Sequence, residues 1–306
     1  MAVIEMQPWS QKTLQPVSKP TLSTLMQQGH PWLWLNGTNS PTLDSDVAAI
    51  SGRLQHHWLW RGTEWEYNAP GYREGPLLVP LDDKLLQVFS ERWAQDSGGL
   101  IIVTNADEET LLSHLRNLRV LTAPDGNQLL FNIAMPRQLE ELAEALSSSR
   151  WAQLSGPIHS LIWTCLEGIN NEWLQARNPY PGPALKESGE FILTPDEEAA
   201  LNRANHEWFM RSAAKRANQI NPDLAQSLGK NELSQRLNIF IQEATGLGLI
   251  RERDAFHYLY LRLTHPQQYF LNDGQLRTVL SNRAIDARQR LAESEARLKQ
   301  LVSESA

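Results

Sequence analysis

Apolar positions in the first half of the chain alternate between short continuous runs and stretches spaced by three and four residues. Residues 31–35 are apolar and aromatic and run into Asn36-Gly37, which predicts a strand ending in a turn. Residues 45–54 place Val47, Ile50 and Leu54 on one helical face, with Asp44 or Ser45 as the cap. Residues 77–81 predict a second strand, and residues 84–94 a helix through Leu85, Val88, Phe89 and Trp93. Residues 100–104 are a β-branched apolar run behind Gly98-Gly99, the pattern of a strand buried on both faces. A helix from Asp107 carries Leu111, Leu112, Leu115 and Leu118. The turn Pro124-Asp125-Gly126-Asn127 then joins Val120-Leu121 to residues 129–133 as a hairpin. A further helix (137–146) and an apolar strand (158–165) complete an α/β (α+β) domain with a mixed sheet.

Asn178-Pro179-Tyr180-Pro181-Gly182-Pro183 breaks this alternation, because proline neither propagates a helix nor pairs centrally in a sheet. The predicted organisation is a lead-in (1–30), the α/β domain (31–177), a Pro-rich linker (178–194) and an all-helical domain (195–306). Thr194-Pro195-Asp196-Glu197 supplies an N-cap, a proline at the first helical position and the acid that completes a capping box. That helix runs to about Asn218 and buries Leu201, Ala204, Trp208 and Phe209. A second carries Leu233, Leu237, Phe240, Ile241 and Ala244 and stops at Gly246 and Gly248; a third, with Phe256, Leu259, Tyr260 and Leu263, ends before Pro266. Leu280, Ala284, Ala287, Leu291, Ser294, Leu298 and Leu301 alternate steps of four and three, a heptad seam on one final helix. Its partner is the chain's own helices, a second copy in a homodimer through residues 280–301, or another protein.

Composition narrows the function. A net charge of −7 lacks the basic footprint of a nucleic-acid binder, and the one cysteine, Cys165, has no intramolecular disulfide partner. No apolar run approaches the roughly 18 residues that cross a bilayer, and residues 1–20 lack a signal-peptide core, so the expectation is a cytoplasmic protein without membrane insertion. Tryptophan is the outlier at 11 copies, a residue used both in cores and at interface hot spots.

Candidate chemistry is sparse. Asp44, Asp46, His56 and His57 are close in sequence, but the helix between them separates carboxylates from imidazoles by about 15 Å, too far for tetrahedral ligation. His159 and Cys165 share a strand face about 20 Å apart, out of reach for a nucleophile and its base. No phosphate-binding loop, nucleophile elbow, metalloprotease helix or dinucleotide fingerprint is present. The expectation is a protein without catalysis, cofactor or metal. Arg211, Lys215 and Arg216, and Arg283, Arg288 and Arg290, are cationic clusters in an acidic chain and offer either solvated helix faces or a dock for an acidic partner. The partner-binding candidates are the aromatic groups Trp58, Trp60, Trp65, Trp208, Phe240, Phe256 and Tyr260, with Arg211, Arg251 and Arg253 around them.

Ordered landmarks run from Trp32 to Ile162: Leu33-Trp34-Leu35-Asn36-Gly37, Leu59-Trp60-Arg61-Gly62-Thr63, Gly75-Pro76-Leu77-Leu78-Val79-Pro80-Leu81 and Gly99-Leu100-Ile101-Ile102-Val103. Leu112-Ser113-His114-Leu115-Arg116, Pro124-Asp125-Gly126, Phe131-Asn132-Ile133-Ala134-Met135-Pro136-Arg137 and Ser155-Gly156-Pro157-Ile158 follow. Together they resemble the adaptor chaperones of bacterial type VI secretion, and the likeness extends to Arg253-Asp254-Ala255-Phe256-His257-Tyr258. The resemblance implies a cytoplasmic, non-catalytic protein that loads a toxic effector onto the spike protein (VgrG) of the injection machine. It further implies that the α/β domain contacts effector and spike while the helical domain selects the cargo. The chain departs from the family pattern at Asn36 and Met135, where relatives carry aspartate, and at Asn132, where they carry arginine. The competing readings are an enzyme with an unrecognised site and a helical scaffold that dimerises through its terminal seam.

Overall fold

A computed structural model describes residues 14–40, 42–63, 66, 71–96, 98–131, 135–164 and 173–305. Trp65, Asn132 and Cys165 lie outside these residues. The chain divides between His206 and Glu207 into two compact units.

Among the described residues of the first unit, seven strands form one sheet. Their spatial order is β1 (Leu14–Val17), β9 (Trp173–Arg177), β8 (Ile158–Thr164), β5 (Gly99–Thr104), β2 (His30–Asn36), β4 (Pro76–Pro80) and β3 (His57–Trp58). Every neighbouring pair is antiparallel, in place of the mixed sheet expected from strand–helix alternation. The reason is topological. β4 and β5 run parallel to each other and are joined through the helix α3 (Asp83–Glu91), yet β2 occupies the slot between them. A helical crossover therefore exists without a parallel pairing.

Register assigns the side chains to faces. Leu33 lies opposite both Val79 and Ile101, and Leu35 opposite Leu77. These residues, with Val103, form one core with Leu25 of α1 (Leu22–Met26), Leu43 and Val47 of α2 (Leu43–Ser51), and Leu85, Leu86 and Phe89 of α3. Trp32, Trp34, Leu78, Leu100 and Ile102 alternate with them, are equally buried, and point to the other face. There Trp163 donates its indole N–H to the buried Glu140 carboxylate at 3.0 Å, pinning α5 (Pro136–Ala145) to β8. All of β5 is buried, as its unbroken apolar run requires.

The helix starts follow cap chemistry. Asp82 accepts from the Leu85 N–H at 2.9 Å to open α3, and Asp107 from the Thr110 N–H at 2.8 Å to open α4 (Glu108–Asn117). α2 begins earlier than its periodicity suggests: Thr42 is its N-cap, without a side-chain bond, and Asp44 is already within the first turn. The hairpin forms as expected, with β6 (Val120–Thr122) paired to β7 (Gln128–Leu130).

The Pro-rich segment 178–194 is packed against the first unit rather than strung out as a linker. Asn178 is buried and donates to the Gly156 carbonyl at 3.1 Å. Leu185, Phe191 and Leu193 are also buried, and the Thr122 N–H and C=O bond Phe191 and Leu193 beside β6. The Leu185 N–H donates to His114 Nδ1 at 3.2 Å. Gly156, just beyond α6 (Ser148–Ser155), leaves room for this imidazole: with φ 52°, a Cβ there would meet His114 Cε1 at 2.5 Å. Prolines exclude regular structure, but they do not prevent apolar neighbours from burying.

Thr194 and Glu197 form the expected reciprocal capping box of α7 (Pro195–Ile220), at 3.2 and 2.9 Å. Arg150 adds a fork to the Glu197 carboxylate at 2.7 and 3.0 Å, which holds that carboxyl below its usual range. The second unit begins within α7. It continues with α8 (Pro222–Gly246), kinked at Gly229, then α9 (Glu252–Thr264), α10 (Gln267–Asn272), α11 (Gly274–Ser281) and α12 (Ala287–Ser305).

The terminal seam is divided. Leu280 belongs to α11, Ala284 is exposed in the turn that follows, and only Leu291, Ser294 and Leu298 are fully buried on α12. Leu291 and Leu298 join one core with Leu261, Phe270, Leu276 and Leu280 of the same chain. That core removes the apolar surface a homodimer through residues 280–301 would use. Arg290 is buried rather than solvated, and donates from Nη1 to the Leu247 and Leu280 carbonyls at 2.9 and 2.5 Å. It thereby satisfies carbonyls at the ends of α8 and α11.

Leu298→Ala should lower unfolding stability by about 2–5 kcal/mol through the cavity it leaves, while sedimentation shows the same mass as the parent. A mass change would return the seam to an intermolecular role. Burial pushes His114 down to about 4, whereas its unfolded value is near 6.5. Between these values the unfolded chain binds a proton that the folded chain excludes, so stability rises with pH across that window and is lost as pH falls through it. The contribution is about 3 kcal/mol. Denaturant midpoints from pH 4.5 to 7.5 should show this slope in the parent and a shallower one in His114→Gln; equal slopes would refute it.

Candidate functional site

The second unit contains a groove between the later half of α7 and α9, with a volume of about 400 Å³. Ala213, Arg216 and Ile220 follow one another by three and four residues and line the α7 side. Phe256, Leu259, Tyr260 and Leu263 present the matching stripe on α9, joined by Arg253 and His257. Ala213 and Ala217 are buried on α7, where small side chains let another element approach closely. α9 starts with Glu252 and Asp254 in its first turn, where the helix dipole favours acids.

The aromatic floor is anchored from within the unit. Phe256 stacks on Phe209 with centroids 4.6 Å apart, and the Arg216 guanidinium lies over the Phe256 ring at 3.8 Å. Arg216 is exposed and has no carboxylate partner among the described residues. Arg253 pairs with its buried neighbour Asp254 at 3.2 Å. His257 Nε2 meets Glu295 at 3.1 Å, and Lys299 meets the same carboxylate at 2.7 Å. The bond from Lys299, with that from His257, holds the Glu295 carboxyl below its ordinary range.

Beneath the groove is a second guanidinium site of a different kind. Arg262 is almost fully buried between the rings of Phe240 and Phe270, 4.5 Å from each centroid, with Glu243 at 3.5 Å. Glu243 also accepts from the Tyr258 hydroxyl at 2.9 Å, and burial raises the Tyr258 phenol above its usual value. This network closes the core.

Of the residues singled out from the sequence, the groove brings together Arg253, Phe256 and Tyr260 of the partner-binding candidates with Arg216 of the cationic cluster. Phe240 is buried under Arg262, and Trp208 and Arg211 are half-buried on α7 outside the groove lining. Arg251 is exposed as the residue before α9. The arginines that line this groove are Arg216 and Arg253, while Arg211 and Arg251 of the expected trio lie outside its lining. The stripe Ala213–Arg216–Ile220 is legible as helical spacing, but its alanine and arginine give no apolar signal.

In the first unit Trp58 is a core residue, edge-on to Tyr72 at 6.0 Å, and Trp60 is half-buried with the Arg119 guanidinium 4.5 Å above it. Both stand at one corner where several sequence landmarks meet. The Gly37 N–H donates to the Gly75 carbonyl at 3.2 Å, and a Cβ on Gly37 would strike the Arg73 and Gly75 carbonyls at 2.3 Å. Asn36 accepts from the Thr38 N–H and hydroxyl at 3.2 and 2.8 Å, so a neutral amide serves this turn. Met135 precedes α5 and makes no capping bond. His57 pairs with Glu108 at 2.9 Å and Asp44 with Arg73 at 3.5 Å. Among the described residues no three His, Cys, Asp or Glu side chains are grouped to hold a metal, and no helix is long and apolar enough to cross a membrane.

The first unit is thus an antiparallel α+β unit, and the second a helical unit with a cleft. Residues 32–153 match the family described as DUF4123, a domain of unknown function. No curated protein and no solved structure matches the chain.

The two guanidinium sites should respond differently to truncation. Arg262→Ala removes a buried charge from between two rings and should cost about 3 kcal/mol, whereas Arg216→Ala should leave the unfolding midpoint nearly unmoved. Comparable losses in denaturant unfolding would contradict this division between core and rim.

Proposed function

We propose that this protein is a non-catalytic adaptor chaperone that binds a type VI secretion effector in the cytoplasm and loads it onto the spike protein. The observation that carries this reading is the match of residues 32–153 to a family associated with adaptor function in type VI secretion. The matched segment spans four of the seven strands of the sheet, β2 to β5, and the corner where Asn36, Gly37, Trp58, Trp60 and Gly75 pack. A glycine-dependent corner of this kind fixes a surface shape, which is what a shared docking platform needs. The groove of the second unit supports assigning cargo choice to residues 207–306, since it presents aromatic and aliphatic groups beside guanidinium edges, the composition of interface hot spots.

Deleting this gene in a strain with an active secretion apparatus should abolish delivery of the effector encoded beside it while other effectors still leave the cell. Complementation should restore delivery. Undiminished secretion of that effector would end the adaptor reading, and substrate turnover by the purified chain would end the non-catalytic one.

A further inference from the structure

The groove between α7 and α9 has a charge pattern that selects its occupant. Ile220, Phe256, Leu259 and Leu263 make it apolar, while the rim cations differ in what they have left to offer. Arg253 is engaged by Asp254, and His257 shares Glu295 with Lys299. Arg216 lies over the face of Phe256 and meets no carboxylate among the described residues. A stacked guanidinium uses its plane for the ring and keeps N–H donors at its edge, where a carboxylate can accept two of them. The chain as a whole carries a net charge of −7, so an exposed arginine without a carboxylate beside an apolar cleft is a local exception. Charge complementarity asks for an acid there, and the cleft asks for an apolar group next to it.

We infer that this groove binds an acidic amphipathic segment of a partner protein. An aliphatic or aromatic side chain of that segment packs against Ile220 and the exposed Tyr260, above the buried Phe256 and Leu259, while a neighbouring carboxylate bridges to Arg216. Two flanking helices leave the geometry of a helix-in-groove interaction, in which anchors repeat every three or four residues. The inference rests on the adaptor reading only for the identity of the protein that carries the segment, a secreted cargo.

The test titrates the full-length chain into a labelled, helix-forming peptide of about 15 residues, with leucine and phenylalanine on one face and glutamate on the other, read by fluorescence anisotropy. Two companion peptides replace every glutamate by lysine, or every apolar residue by serine. Saturable binding is expected for the acidic amphipathic peptide alone, and R216E should weaken it about tenfold or more, whereas R236E on α8 should not. Circular dichroism of R216E guards against a folding defect, which an exposed side chain should not cause. Equal affinity for the glutamate and lysine peptides, absence of saturable binding, or an unaffected R216E would each overturn the inference. A concentration-dependent doubling of mass that R216E abolishes would assign the groove to a second copy and overturn it as well. If secretion depends on the chain but the acidic peptide does not bind, the groove inference falls and the adaptor reading remains.

Discussion

Burial of β5 on both faces is the constraint from which the first unit follows. Leu100, Ile101, Ile102, Val103 and Thr104 are all inaccessible, so neither face of the sheet can be left to solvent. Helices must cover both faces, and the strands on either side must present matching apolar rows. β2 and β8 do so with Trp34, Leu35, Leu161 and Ile162. The outer strands relax the requirement: β1 places Pro16 at an edge, where a missing N–H and a weakened template for further pairing are tolerated.

Arginine against aromatic rings recurs in both units and resolves a compositional tension. The chain is rich in tryptophan but acidic overall, so ring faces need a cover that is neither bulk apolar surface nor carboxylate. Arg119 over Trp60 and Arg150 over Phe191 serve the first unit; Arg216 over Phe256 and Arg262 between Phe240 and Phe270 serve the second. Guanidinium suits this role because it is weakly hydrated and flat. What distinguishes these arginines is the rest of their coordination. Arg150 and Arg262 also meet carboxylates and lock structure, whereas Arg216 is exposed and meets no carboxylate among the described residues.

The proposed adaptor function would place different demands on the two units. A platform common to a family needs a fixed shape, and the first unit provides it through the sheet and the close backbone approach at Gly37 and Gly75. Under that proposal a cargo-selecting surface would need apolar area bordered by directional charge, and the cleft of the helical unit has Ile220, Tyr260 and Arg216 in its lining. Trp58 illustrates why composition alone misleads about binding: it belongs to the same aromatic-rich stretch as Trp60, yet register turns it into the core.

The sequence by itself determined the elements whose signals are local. The apolar run of β5, the caps at Asp82 and Asp107, the box of Thr194 with Glu197, the Pro124–Asn127 turn and the stop before Pro266 are all set by side chains acting on backbone within a few residues. Phe256, Tyr260 and Arg253, picked out as aromatic and cationic groups near one another in the chain, line one groove because helical spacing puts them on related faces. Tertiary structure decided whatever depends on distant partners. Inserting β2 between β4 and β5 made the sheet antiparallel, and burial of Leu185, Phe191 and Leu193 turned a proline-rich stretch into packed chain. The turn after α11 split an apparent heptad seam and directed Leu291 and Leu298 into their own unit's core. Arg216 and Arg290 are indistinguishable in sequence as helix-surface cations. One faces solvent across Phe256 and the other is buried on two helix ends, because only the packing of other helices fixes whether a guanidinium finds carbonyls or water.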